Sequence, residues 1–122
     1  MEEYPTLDDL YWLFEVEPAL LDPDLGWPIS EAKWTTSRGA WNIVVRIGVY
    51  DRTVEIECAL GDAPAIHVKL DGVVDRLAID RTHGAESLMI TPSRAGALHP
   101  VRLMLKPAVF LDLENRLPWQ DA

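Results

Sequence analysis

Residues 2–31 contain no lysine and no arginine, yet they carry nine carboxylates. The whole chain has 20 acidic and 11 basic side chains, so the two signs balance at 11 each beyond Glu31. The formal charge of −9 therefore belongs to the first quarter of the molecule, among two Tyr, two Trp and one Phe. Such an acidic balance (pI near 4.6) argues against nucleic acid or an anionic membrane as partner, because both would repel it. A basic protein partner fits it, and the same charge also serves solubility.

Other absences narrow the field further. A single cysteine, Cys58, rules out an internal disulfide and makes a reducing cytoplasm the expected compartment. No apolar run approaches the ~18 residues that span a bilayer. The opening Met-Glu-Glu-Tyr-Pro lacks the basic and apolar regions of a secretory signal. Gly-rich phosphate loops, GxSxG, HExxH and CxxC do not occur. His67, His83 and His99 have no carboxylate or cysteine at metal-ligand spacing and read as surface histidines. Cys58 alternates with Val54, Ile56 and Leu60, the pattern of a small core residue and not of a nucleophile. Glu55 and Glu57 point the same way about 7 Å apart on a strand, a spacing that suits a carboxylate pair. No catalytic residue, metal ligand set or cofactor is expected, and the chain reads as a non-enzyme.

What the sequence does carry is one helix followed by β-structure. Thr6 caps a helix over residues 6–17, with Asp9 in the capping-box position and Asp8 favourable against the dipole. Leu7, Leu10, Tyr11 and Phe14 form its apolar stripe, and Pro18 ends it. Residues 18–29, including "DPDLGWP", read as a turn-rich connector. "WNIVVRIGVY", "TVEIECAL" and "AIHVKL" then alternate with period 2, as an antiparallel sheet with one wet face requires. A two-residue turn at Asp51-Arg52 would set Val45 opposite Cys58 and Arg46 opposite Glu57. A following loop over residues 61–65 would set Glu57 opposite Lys69. Asp71-Gly72 signals another hairpin. In "VVDRLAID" the apolar residues Val73, Leu77 and Ile79 place Asp75 inward, unless a bulge re-aims it or it lies beyond the core. The expected fold is α+β, mainly β: one domain over residues 1–122, with the N-terminal helix packed on a curved antiparallel meander of six to eight strands (residues 32–114). In the short tail that follows, Trp119 is expected to pack back on the domain.

The acidic segment is the leading candidate site. Trp12 falls off the helix stripe, beside Asp8 and Glu15. Either the connector folds back and Trp27 or Pro28 covers it, or it is a partly exposed anchor ringed by carboxylates. On the second reading the partner-binding residues are Asp8, Asp9, Trp12, Glu15, Glu17, Asp22, Asp24 and Trp27. An alternative is a small-ligand carrier or small enzyme with a pocket between helix and sheet, lined by Trp34, Trp41 and Asp75. A third is a subunit that docks through a sheet edge.

The helix "PTLDDLYWLFEVEP", the connector "DP-x-x-x-W-P" and a β-meander in a small acidic chain together resemble the immunity proteins of bacterial toxin systems. They are also similar to small uncharacterised bacterial proteins beginning "PTLxxL…F…VEP…DP". The first resemblance implies a protein that binds a toxin domain, often a basic one, and blocks its active site. It carries over no individual residue and leaves the oligomeric state open.

Overall fold

The computed structural model describes residues 1–81, 84–93, 99–106 and 108–113. Thr6 has the extended backbone of an N-cap, and its Oγ1 accepts from the Asp9 N–H at 3.2 Å. From there α1 (Leu7–Phe14) makes only two turns. Glu15 then enters the left-handed region (φ 61°) and its N–H closes on the Tyr11 carbonyl, so the helix ends at Phe14, before Pro18 is reached. The expected helix over 6–17 is thus shortened at its C-terminal end. Its buried residues are Leu10, Leu13 and Phe14, whereas Tyr11 is 46% exposed.

The helix end is fastened to the β-structure through its free carbonyls. Thr36 Oγ1 and Arg38 Nη2 both donate to the Phe14 carbonyl, at 3.1 and 3.0 Å. Lys106 Nζ donates to the Trp12 carbonyl at 3.1 Å. Late carbonyls of a short helix have no intrahelical donor, and these side chains supply the missing bonds. The Phe14 ring meets the buried Trp34 at 5.3 Å, and Trp34 meets Trp27 edge-on at 5.7 Å.

Among the described residues nine strands follow: β1 (Ala19–Leu20), β2 (Ala32–Arg38), β3 (Trp41–Gly48), β4 (Thr53–Leu60), β5 (Ala63–Leu70), β6 (Val74–Asp80), β7 (Glu86–Pro92), β8 (Val101–Lys106) and β9 (Phe110–Asp112). They do not form one meander. Strands β1 to β5 make one antiparallel sheet and β6 to β9 another, each in sequence order. The Asp71-Gly72 turn therefore joins two sheets and closes no hairpin. The physical reason lies in burial. One sheet with an apolar face would have only an eight-residue helix to cover it, whereas two sheets cover each other. Accordingly one core cluster joins Ile43, Val45, Ile47, Val54 and Ile56 of the first sheet with Val74, Leu77, Leu88, Ile90, Val101 and Leu103 of the second. Each such side chain contributes about 1.5–3 kcal/mol on burial.

Register in the first sheet differs from the expected one by two residues. Val45 faces Ile56, Arg46 faces Glu55, and Gly48 faces Thr53, because residues 49–52 form a longer turn with Arg52 at φ 55°. A slip of two keeps every side chain on its own face, so the apolar pattern cannot tell the two registers apart. The next connection is shorter than expected. Leu60 pairs with Ala63 around Gly61-Asp62, and a bulge between Cys58 and Ala59 absorbs the extra residue. Edge strand β5 is largely exposed: of the expected trio Ile66, Val68 and Leu70, only Leu70 is buried. The supposed connector also yields β1, which pairs with β2.

The two sheets are sewn together at one seam. The Val74 N–H donates to the Arg52 carbonyl, Arg52 Nε returns a bond to the Val74 carbonyl, and Arg52 pairs with Asp75. Residues 1–3 lie along the same seam. The terminal amine donates to the Val49 carbonyl at 3.2 Å, the Glu2 N–H to the Asp75 carbonyl at 2.7 Å, and the Leu77 N–H to the Glu3 carbonyl at 2.9 Å. The first residues of the acidic segment thus cover the open edge of β6.

Candidate functional site

The nine N-terminal carboxylates fall into two groups. Glu2 lies 3.5 Å from Arg76, Asp9 lies 3.9 Å from Arg81, and Glu15 is shared between Lys106 (2.7 Å) and Arg38 (3.4 Å). These charges answer cations of the β-structure. The hydrogen bond from Lys106 holds the Glu15 carboxyl below its usual pKa and raises that of Lys106 in turn. Among the described residues, Glu3, Asp8, Glu17, Asp22, Asp24 and Glu31 have no cation within ion-pair distance.

Two of these unpaired acids line one groove. Leu7, Asp8 and Tyr11 of α1 line it together with Glu17, Pro18 and Leu20, around a cavity of about 470 Å³. Shallower hollows continue it in both directions. One runs past Tyr4, Pro5 and Trp27, and the other past Leu21, Glu31 and Lys33. Apolar exposure is concentrated along the same stretch. Of the eleven large hydrophobic side chains exposed among the described residues, six lie in residues 2–31: Tyr4, Tyr11, Trp12, Leu21, Leu25 and Ile29. An exposed apolar strip rimmed by charge is the composition of a docking surface.

Trp12 stands at 65% exposure, touching Tyr11 edge-on at 6.5 Å. The connector does not cover it, because Trp27 is engaged elsewhere. The Trp27 indole N–H donates to the Pro5 carbonyl at 3.2 Å, and the ring sits between Tyr4 and Trp34. Asp22 and Asp24 belong to a tight turn in which Asp22 Oδ1 accepts from the Asp24 N–H and the Asp22 N–H donates to Ser30 Oγ. Both carboxylates remain exposed.

Trp34, Trp41 and Asp75 are not drawn together around a cavity. Trp34 has no exposed surface, and Trp41 starts β3 opposite Leu60. Asp75 lies at the β6 bulge between Val74 and Arg76, which takes it out of the ladder and toward Arg52. Asp75 does line a hollow of about 420 Å³, with Glu2, Arg76, Thr91, Pro92 and Ser93, and neither Trp34 nor Trp41 shares it. Burial pushes the Cys58 thiol pKa up, which suits a core residue. His99 is half-buried; His83, Trp119 and the tail from residue 114 lie outside the described residues.

The outer face of the first sheet holds one constellation that sequence reasoning did not assemble. Glu57 faces His67 across the β4–β5 ladder, and Glu55 is two residues along on the same face. One ligand atom from each lies within 4.8 Å of the others, so the trio offers two carboxylates and an imidazole to a divalent cation. Arg46 Nη1 already sits 3.0 Å from Glu55 and 3.3 Å from Glu57. His67 Nε2 lies 2.7 Å from Glu55, and that bond holds the Glu55 carboxyl below its usual pKa. The signal was present in the i, i+2 glutamates, but the two-residue slip in register hid the histidine opposite them.

No protein-family model matches the chain, and no curated protein matches it. The fold, however, has a solved counterpart. A chain of the structure described as a contact-dependent growth inhibition toxin–immunity protein complex from Klebsiella pneumoniae 342 superposes with a TM-score of 0.76. The match covers 91% of this chain and 93% of that one at 15% identity, a similarity of fold.

Proposed function

We propose that this protein is a non-enzymatic inhibitor of the immunity type, which binds a basic toxin domain through the acidic, aromatic surface of residues 2–31. The observation that carries the reading is the coincidence of two properties in one segment. Carboxylates with no cation in ion-pair reach among the described residues (Asp8, Glu17, Asp22 and Asp24) occur where Tyr4, Tyr11, Trp12 and Leu21 are exposed. Charge of one sign steers a basic partner into encounter, and exposed rings supply the area that holds it. The similarity of fold to a chain from a toxin–immunity complex supports the same reading. Asp9 and Glu15 lie on this surface with their charge already answered, and Trp27 supports it from beneath. The cytoplasm, where an incoming toxin would act, is the compartment the reading requires, and no helix among the described residues is long and apolar enough to cross a membrane.

The test is protection. An immunity gene normally lies beside that of its toxin, so the toxin domain encoded by the adjacent gene would be expressed in a host with and without this chain. Restored growth, with a stable complex of the two purified proteins, is the expected result. Growth arrest unrelieved by the chain would reject the reading.

A further inference from the structure

Resting on that reading, we propose that the groove between α1 and the Glu17–Leu20 segment is the seat of a single arginine side chain projected by the partner. Asp8 and Glu17 both line this cavity of about 470 Å³, and neither has a cationic neighbour among the described residues. Asp9 and Glu15, their neighbours in sequence, are matched by Arg81 and by Lys106 and Arg38. Those two are matched from within the protein, whereas Asp8 and Glu17, the carboxylates that line the groove, are open to a cation from outside. The remaining lining is apolar or aromatic: Leu7, Tyr11, Pro18 and Leu20. That combination selects a particular cation. An aliphatic stem needs apolar walls, a planar delocalised head can lie on an aromatic face, and forked donors can reach two carboxylates at once. Arginine meets all three requirements, whereas lysine has no planar head and only a point charge. The site also differs from the anchor expected at Trp12, whose ring is 65% exposed and lines none of this cavity.

The experiment follows backbone amide shifts of the labelled full-length chain on adding acetyl-Gly-Arg-Gly-amide. Its citrulline counterpart, a neutral near-isostere, and its lysine counterpart serve as comparisons. The arginine peptide should shift Leu7, Asp8, Tyr11, Glu17 and Leu20 and saturate. Citrulline should bind at least about fivefold more weakly, and lysine more weakly than arginine. Asp8→Asn with Glu17→Gln should weaken arginine binding by a similar factor, while Asp9→Asn with Glu15→Gln should leave it unchanged. Shifts centred elsewhere, equal binding of citrulline or lysine, or indifference to the Asp8/Glu17 pair would overturn the site. The peptide needs no toxin, so the two readings fail separately. Groove binding without growth protection rejects the inhibitor, and protection without groove binding rejects the arginine seat.

Discussion

Trp12 is 65% exposed and Trp34 has no exposed surface, so the two indoles answer different questions. Replacing Trp34 by Ala removes a ring packed between Phe14 and Trp27 and should cost about 3–5 kcal/mol in denaturant unfolding. Replacing Trp12 by Ala should change stability by no more than about 0.5 kcal/mol, as exposed positions do. A large loss at Trp12 would show that its ring is packed. The Thr6 cap was legible in the sequence because it depends on neighbours three residues away, and Thr6→Ala should lower stability by about 1 kcal/mol. The buried face of α1 was less so. In a helix of two turns, Leu7-Leu10-Tyr11-Phe14 and Leu10-Leu13-Phe14 are both apolar stripes. Which of them is buried depends on where Trp34 and the sheets lie, and no local pattern encodes that.

Beside the shared core, α1 is joined to the second sheet by charge, and this makes one junction sensitive to pH. Lys106 of β8 binds Glu15 at the end of α1, and Glu86 of β7 also lies 3.3 Å from Lys106. Glu15 and Glu55 both have folded pKa values below the ordinary 4.5. A carboxylate depressed in this way contributes stability above its unfolded pKa, and the contribution is lost as pH falls through the folded value. Glu15→Gln should therefore flatten the acid-side fall in melting temperature below about pH 4.5 and lower the plateau above it. An acid limb of unchanged slope would exclude the Glu15–Lys106 junction as its source. Strand existence was well encoded by period-2 alternation, and one charge on an apolar face marked Asp75 as irregular while leaving a bulge as only one of the readings. The β3–β4 register was not encoded, because turns of two or four residues place the same side chains inward.

At the scale of the whole molecule, the division into two sheets escaped the sequence, since Asp71-Gly72 is as good a hairpin turn as a connection between sheets. The acidic segment has two duties in the resulting fold. Residues 1–3 cover the β6 edge through backbone bonds, so deleting residues 1–4 should lower the melting temperature by about 3–6 °C or more. The remainder presents unpaired acids and exposed rings. Because the paired Asp9 and Glu15 are already screened by their own cations, steering belongs to Asp8, Glu17, Asp22 and Asp24. The most direct measurement is the association rate with the adjacent gene's toxin domain across a salt series, comparing the native chain with Asp8→Asn, Glu17→Gln, Asp22→Asn and Asp24→Asn combined. The variant should associate about tenfold or more slowly at low salt, and the gap should close as salt passes about 0.15 M, where screening reaches about 8 Å. Equal rates at low salt would contradict the account.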